Sequence, residues 1–411
     1  MNILLGSGNP AVSVGNTLVL DGDDSKSAAT VAPSLEHIDE VKSIDKLQQG
    51  LRGSVDIIRE NAVVKLGADK LGLSTALLIM ASNRPDYLSK CLSFILQYHP
   101  NTAVPITISQ DGANHAVNDA VDGFSRQFAL KSTLPVKHLH HPRLGHYENG
   151  YFALADHYKW ALNNVFADTS ISHVIILEED LQIAPDFFEF FAATQPIYDS
   201  DPSLLAVSAW NDNGFNYAVQ DTKQLYRSDF FPGLGWMLSR RIWEELGPKW
   251  PKAYWDDWLR EPAQRQSRQF IRPEVCRTLH YGARGVSNAQ YSEFLTTIKL
   301  NSEYVHFTQL DLSYLSSQGK WEEVYFTAIR SAKQFKSART FLDSIAQLNT
   351  KEVKILYTSQ DGNEDTSFVS MAQRLGAMDN IKAHVPRTAY KGIVSFWYKG
   401  VKVHLVPVAF S

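Results

Sequence analysis

Short apolar runs alternate with helical patterns from residue 74 onward, and this alternation restricts the chain to few folds. The stretches STALLIMAS, VPITISQDG and HVIIL have the length and apolar content typical of strands buried on both faces. Helical spacing follows them in RPDYLSKCLSFILQYH, in YENGYFALADHYKWALNNVF and in the segment that begins at Pro185. The sequence therefore predicts an α/β fold with a mostly parallel central sheet covered by helices on both faces.

Changes in composition divide the chain into four predicted parts. Residues 1–33 are rich in Gly, Ser, Asp and Ala and are predicted to be a disordered lead-in, and residues 34–70 are predicted to be a helical stem. Residues 71–315 carry the alternation of strands and helices. In residues 316–411, KEVKILYTSQ, GIVSFWYKG and VKVHLVPVAF are typical of strands, so a small C-terminal α+β domain is expected there.

The bulk composition excludes several classes of protein. With 44% hydrophobic and 20% charged residues, the chain of 411 residues is typical of folded proteins. A net charge of −4 without a basic cluster argues against a nucleic-acid partner. Two cysteines, Cys91 and Cys276, cannot build a disulfide framework, and Cys91 lies on an apolar helical stripe that predicts burial. No apolar run approaches the roughly 20 residues needed to span a bilayer, and the start MNILLG does not resemble a signal peptide, so a soluble chain is expected.

Three consecutive carboxylates, Glu178, Glu179 and Asp180, follow the third predicted strand. Strand alternation predicts Glu178 and Asp180 on one face and Glu179 on the other. Ligands of parallel sheets bind at the carboxyl ends of strands, where Asp111 also lies. Carboxylate oxygens suit Mg²⁺ or Mn²⁺, which usually take one or two protein carboxylates beside phosphates and water. The alternative is a solvated acidic turn before a helix whose N-terminus favours Asp186.

A second acidic pair, Asp256 and Asp257, lies between Trp255 and Trp258 in PKWPKAYWDDWLREP. Aromatic walls exclude water and shape a cleft of the size of a sugar, in which a carboxylate can act as general base on a hydroxyl. Asp256 could equally pair with Arg260, four residues further along a helix. The two interpretations are compatible, because an ion pair would orient the base and keep it ionised.

These segments resemble the N-acetylglucosaminyltransferase I family, which is glycosyltransferase family 13. The resemblance extends from about Ser74 to Pro407 and is carried by LEEDLQIAPDFFEFF, DPSLLAVSAWNDNG, LYRSDFFPGLGWMLSRRIWEELGPKWPKAYWDDWLREP, RPEVCRTLHYGARGVS, FTQLDLSYL and GAMDNIKAHVPRTAYKGIVSFWYKGVKVHLVP. It implies a GT-A type (Rossmann-like) nucleotide-sugar domain, UDP-GlcNAc as donor and Mn²⁺ as cofactor, with Mg²⁺ or Co²⁺ as alternatives. It also implies an inverting enzyme that moves GlcNAc in β1,2 linkage to O2 of the α1,3-linked mannose of a high-mannose N-glycan, committing the glycan to hybrid or complex forms.

The resemblance also implies roles for individual residues. Asp256 matches the catalytic base and Asp180 the metal ligand. The residues that match donor contacts are Glu178 for the sugar, Glu179 for the ribose, Asp111 and His157 for the uracil, Arg84 for the nucleotide, Leu234 and Trp255 for the sugar pocket, and Arg260, Val286 and Ser287 for the diphosphate. Taken alone, His157 also suits a partly buried core histidine, and Asp111 followed by Gly112 also suits an ordinary turn.

The chain departs from the family pattern at several points. Glu179 stands where the family usually has Asp, and Ala206 and Phe270 occupy the positions of a family disulfide. The resemblance implies a Golgi protein of type II membrane topology with a lumenal catalytic domain. No transmembrane anchor is visible in the sequence, however, so a soluble or truncated form is expected. Two alternative functions stay open: a β1,2-GlcNAc-transferase acting on O-mannosyl glycans, and a non-catalytic module that binds a UDP-sugar or a glycan.

Overall fold

The computed structural model of the chain describes residues 67–143, 146–282, 296–362 and 364–410. The predicted lead-in, nearly all of the predicted stem, and Val286 and Ser287 lie outside these residues. The strands are β1 Thr75–Ala81, β2 Ile106–Asp111, β3 Val136–His141, β4 His173–Glu178, β5 Leu181–Ile183, β6 Leu204–Ser208, β7 Leu225–Ser228, β8 Trp236–Ser239, β9 Gln269–Pro273, β10 Thr278–His280, β11 Lys333–Phe335, β12 Glu352–Tyr357, β13 Ile381–Lys382, β14 Val385–Pro386, β15 Val394–Tyr398 and β16 Val401–Pro407. The α-helices are α1 Pro85–Tyr98, α2 His115–Phe128, α3 Gly150–Phe166, α4 Phe187–Ser200, α5 Arg240–Leu246, α6 Trp255–Arg260, α7 Pro262–Arg265, α8 Gln318–Ser331, α9 Ala338–Ser344 and α10 Phe368–Leu375.

The central sheet has eight strands in the order β3-β2-β1-β4-β8-β6-β9-β7. The first four run parallel to one another, and β6 and β9 are also parallel. Strands β8 and β7 run antiparallel to their neighbours. Every residue of β1 is buried, which explains why its sequence is a continuous apolar run. The predicted α/β class with a mostly parallel sheet is confirmed.

Two features of this sheet differ from the sequence expectation. The sequence does not predict β3, because this edge strand reads VKHLHH and is only partly covered. The helix expected from Pro185 begins at Phe187, and the short strand β5 separates it from the three acids. Strand β5 pairs antiparallel with β10, so the chain after β4 is held by neighbouring backbone before the helix starts.

The C-terminal strands form a four-stranded sheet in the order β11-β12-β16-β15, which includes the strands predicted from the last 60 residues. The predicted domain boundary at residue 315 does not separate the two hydrophobic cores, because each core includes side chains from the other side of that boundary. Trp210 and Phe215 pack with the core of the smaller sheet, whereas Trp321 and Tyr325 of α8 pack with the core of the larger one. The two sheets therefore share their cores through large aromatic side chains.

Buried side chains also occupy the positions where the resemblance suggests a disulfide. Ala206 on β6 and Phe270 on β9 are direct partners in the sheet and are fully buried, so packing links these strands. Cys91 is fully buried on α1, as predicted. Among the described residues, no helix combines the length and the apolar character that crossing a membrane requires.

A buried ion pair fixes the start of α4. Asp186 occupies the residue before the helix, but its carboxylate bonds the guanidinium of Arg277 instead of capping the helix, with Nη2 to Oδ2 at 2.9 Å. Both side chains are fully buried. Burial raises the pKa of Asp186, and Arg277 opposes that rise. Asp186 therefore lies at the N-terminus of α4, as expected, and is held there by a buried pair with Arg277.

Removing the cation of this pair should destabilise the fold strongly. In Arg277→Met the Asp186 carboxylate is left buried without its counter-ion, so the free energy of unfolding should fall by about 3–5 kcal/mol in urea titrations. Arg374→Met is the matched control, since its pair with Asp365 is exposed and should be worth less than about 1 kcal/mol. The double variant Asp186→Asn/Arg277→Met should recover part of the loss. Equal losses of unfolding free energy in Arg277→Met and Arg374→Met would contradict this account.

Candidate active site

A cavity of about 990 Å³ opens where the parallel strands end. It brings together every described residue that the sequence analysis assigned to a site: Arg84, Asp111, His157, Glu178, Glu179, Asp180, Leu234, Trp255, Asp256 and Arg260. Arg84 follows β1, Asp111 ends β2 and the three acids follow or end β4, because parallel strands deliver their carboxyl ends to one edge of the sheet. Leu234 lies between β7 and β8 in a left-handed backbone conformation, with φ 51°.

Arg84 ties two of the acids together. Its Nε lies 2.7 Å from Glu179 Oε1 and its Nη1 lies 2.8 Å from Asp180 Oδ2. The backbone N–H of Ser82 donates to the other Glu179 oxygen at 3.0 Å. Because β4 ends at Glu178, the predicted alternation does not continue, and one guanidinium contacts both following residues. Glu179 and Asp180 are 1% and 3% exposed, so the solvated-turn alternative is wrong.

Asp180 has the features of a cation ligand. Burial by itself would raise the pKa of Asp180, but His280, whose Nε2 lies 3.3 Å from Oδ2, and Arg84 outweigh it and lower that pKa. Its Oδ1 is buried and accepts no hydrogen bond from any described residue. Within the described ranges, no three His, Cys, Asp or Glu side chains are arranged to hold a metal by themselves. Asp180 therefore fits a hard divalent cation whose remaining ligands come from outside this cluster.

Glu178 differs from its two neighbours because its partner is a hydroxyl. Tyr158 on α3 donates to Glu178 Oε1 at 2.8 Å. Burial and the nearby charge of Asp180 raise the pKa of Glu178, and the Tyr158 hydrogen bond opposes the rise. The site thus holds Glu178, whose pKa is raised, beside Asp180, whose pKa is lowered.

Strand β3 supplies residues that the sequence analysis missed. Asp111 bonds His141 Nδ1 at 2.8 Å through Oδ1, and Arg143 Nη2 at 2.9 Å through Oδ2. The ring of His157 stacks on that of His141 at 5.3 Å, and its Nε2 bonds Ser109 Oγ at 2.8 Å. Burial, His141 and Arg143 lower the pKa of His157 to about 3, so this ring is neutral. The polar sequence of β3 gave no signal for these partners, because VKHLHH lacks the apolar run of a buried strand.

Asp256 lies on the short helix α6, at the more open side of the cavity. Arg260 Nη1 contacts Asp256 Oδ2 at 2.7 Å and Asp257 Oδ1 at 2.8 Å, which confirms the predicted pairing along the helix. The Asp256 side chain is 43% exposed, whereas that of Arg260 is buried and also donates through Nε to the Phe231 carbonyl. Trp255 is buried in a stack with Trp236 and Trp250. The aromatic packing fixes the helix, and the ion pair holds the Asp256 carboxylate in place.

Acids buried at strand ends and an exposed carboxylate on an aromatic wall match the site that the resemblance implies for a glycosyltransferase using a nucleotide sugar. The chain belongs to the GNT-I family, whose family model matches residues 16–410. It is also similar to the alpha-1,3-mannosyl-glycoprotein 2-beta-N-acetylglucosaminyltransferase of Arabidopsis thaliana. The two are 40% identical over 349 residues, which cover 84% of this chain and 76% of the plant protein. The chain is therefore a glycosyltransferase, as the resemblance implied.

Two solved structures are similar to part of this chain. A mannosyltransferase from Pyrobaculum calidifontis in complex with GDP-Man and Mn²⁺ is 17% identical, with a TM-score of 0.31, over 43% of this chain and 47% of that one. TarS from S. aureus is 11% identical, with a TM-score of 0.34, over 48% of this chain and 58% of that one.

The hydrogen bond between Tyr158 and Glu178 can be tested by titration. A hydrogen bond to a carboxylate favours its charged form, so Tyr158→Phe should raise the pKa of Glu178 further. The measurement is a carboxyl ¹³C NMR titration with labelled glutamate. Tyr151→Phe is the control, because it removes a hydroxyl from the same helix and cavity that has no described bond to Glu178. A Glu178 pKa that falls or stays constant in Tyr158→Phe would refute the assignment.

Proposed function

We propose that the protein transfers GlcNAc from UDP-GlcNAc to O2 of the α1,3-linked mannose of a high-mannose N-glycan, forming a β1,2 linkage with inversion. The observation that carries the proposal is one cavity holding a buried, ionised Asp180 with an unused oxygen and an exposed, oriented Asp256. Membership of the GNT-I family and the name of the plant relative support it. The resemblance further supports a Golgi enzyme with a lumenal catalytic domain, membrane-associated through an anchor.

The buried end of the cavity is assigned to the donor. Asp111 and the neutral His157 would contact the uracil, Arg84 the nucleotide, Glu179 the ribose and Glu178 the GlcNAc. Both oxygens of Glu179 already accept hydrogen bonds, but each carboxylate oxygen has two lone pairs, so a ribose hydroxyl can still be bound. Val286 and Ser287 are assigned to the diphosphate on the resemblance.

Asp180 is assigned to Mn²⁺, with Mg²⁺ or Co²⁺ as alternatives. The unused Oδ1 is the oxygen available to the ion, while Arg84 and His280 keep the carboxylate ionised through Oδ2. Such an ion supplies positive charge that stabilises a departing diphosphate, so the leaving group needs no protonation.

Asp256 is assigned as the general base. As the mannose O2 forms its bond to the anomeric carbon of GlcNAc and the bond to the diphosphate breaks, Asp256 takes the hydroxyl proton. A single displacement of this kind inverts the α-linked donor to a β-linked product. Arg260 bonds Asp256, Asp257 and the Phe231 carbonyl, so we assign it first to orienting the base and only second to the diphosphate.

Loss of the base should affect the rate and spare donor binding. Asp256→Asn should lower kcat about 10²- to 10⁴-fold, since an amide cannot accept the proton. Calorimetric titration with UDP-GlcNAc and Mn²⁺ should give a Kd within about twofold of wild type. Asp257→Asn is the matched neighbour, with the same Arg260 contact, and should keep most of the rate at saturating glycan. Equal losses of rate and donor affinity in Asp256→Asn would overturn its role.

The reaction itself is tested by incubating the protein with UDP-GlcNAc, Mn²⁺ and a five-mannose N-glycan. We expect a product heavier by one N-acetylhexosamine and linked β1,2 to the α1,3-mannose, read by mass spectrometry and linkage analysis. An O-mannosyl peptide is assayed in parallel, and preferential transfer to that peptide would favour the alternative acceptor. Binding of UDP with Mn²⁺ but no transfer to either acceptor would instead identify a binding module.

A further inference from the structure

The cavity has one buried end and one open end. The acids after β4 are almost fully buried, whereas Tyr254 is 46% exposed and the side chain of Lys382 is 38% exposed. All of these residues line the same cavity. A branched glycan carried on a protein is too large for the buried end, so it must approach from the open one.

Tyr254 has an unusual conformation for an aromatic residue at this position. It immediately precedes α6 with φ 51° and ψ 45°, in the left-handed region that a residue other than glycine rarely adopts. Its ring packs on that of Tyr151 at 4.6 Å and leaves a large aromatic surface exposed two residues before Asp256. Strained backbone that persists beside an active site commonly serves function. A sugar ring has an apolar C–H face that can pack on such an aromatic surface.

Lys382 approaches Asp256 from the C-terminal part of the chain. It ends β13 in a hairpin whose turn residues, Ala383 and His384, both have left-handed backbones, with φ 47° and 61°. Its Nζ lies 3.1 Å from Asp257 Oδ2, and Asp257 shares Arg260 with Asp256. The ammonium carries three donors and Asp257 accepts one, so sugar hydroxyls can accept the others.

We propose that Tyr254 and Lys382 form the acceptor subsite, in which a mannose ring of the glycan packs on Tyr254 and its hydroxyls accept hydrogen bonds from Lys382. The inference rests on the proposed function, because it places the acceptor opposite the donor end which that function assigns. Packing on Tyr254 places the mannose ring on the side of the cavity that carries Asp256, and hydrogen bonds from Lys382 orient the mannose. Recognition of the acceptor thus uses one residue from the loop before α6 and one from the C-terminal hairpin.

The test separates acceptor binding from donor binding. Tyr254→Gly removes the ring and adopts the left-handed backbone without strain, so the fold should be retained. At saturating UDP-GlcNAc it should raise the KM for a five-mannose glycan about threefold to tenfold, with the KM for UDP-GlcNAc unchanged. Tyr254→Phe should restore the wild-type KM because packing needs the ring and not the hydroxyl. Lys382→Met should also raise the glycan KM, while its melting temperature stays near wild type because a half-exposed ion pair contributes little to stability.

Glycan binding measured by calorimetry with UDP present makes the outcomes distinguishable. Tyr217→Gly is the control, since Tyr217 is 49% exposed but does not line the cavity, and its glycan affinity should equal that of wild type. Transfer by wild type with an unchanged glycan KM in Tyr254→Gly would overturn the subsite and leave the proposed function intact. Glycan binding that depends on Tyr254 without any transfer would support the subsite and reject the function. No glycan binding by wild type would overturn both.

Discussion

Negative charge buried at the end of β4 is the constraint on which the rest of the site depends. Moving ionised carboxylates out of water is expensive unless each is paired and hydrogen-bonded. Arg84, placed at the start of α1, pairs with Glu179 and Asp180 at once, and His280 adds a second partner for Asp180. The backbone at Gly282 passes so close that a Cβ there would lie 2.5 Å from Asp180 Oδ2. These partners leave one Asp180 oxygen unused, and under the proposed function that oxygen would bind the divalent cation.

The carboxylates at the two ends of the cavity are suited to different tasks because their surroundings differ. Asp180 is buried among cations that keep it charged, which suits a ligand. Asp256 is nearly half exposed and held by a buried Arg260, which suits a base that must meet an incoming hydroxyl. Separating two carboxylates by environment is a general way to divide roles within one site. Here the stack of Trp255 with Trp236 and Trp250 fixes the position of α6, the helix that carries Asp256.

The sequence predicted those strands and contacts that depend only on residues close together in the chain. Strands β1 and β4 were readable because burial on both faces makes their sequences continuously apolar, and the pair of Asp256 with Arg260 follows from helical spacing. The sequence did not indicate the partners of Asp111, because His141 ends a polar edge strand and Arg143 follows it. The contact of Arg84 with both Glu179 and Asp180 depends on where β4 ends, which alternation alone cannot indicate. Lys382 lies 125 residues from Asp257, and only the folded chain brings them together.

The C-terminal part of the chain lines the cavity through Met378, Lys382 and Arg387. The loop that follows β6 holds it in place: Asn213 accepts from the Met378 N–H at 2.7 Å and donates to Thr388 at 3.0 Å, and Asp212 pairs with Arg387 at 2.6 Å. These contacts bracket the hairpin that carries Lys382, so its position relative to α6 is set by buried polar bonds on both sides. Without this hairpin, the open end of the cavity would lose Lys382 from its lining. Large aromatic side chains link the cores of the two sheets, and the β13–β14 hairpin, which belongs to neither sheet, contributes Lys382 to the cavity.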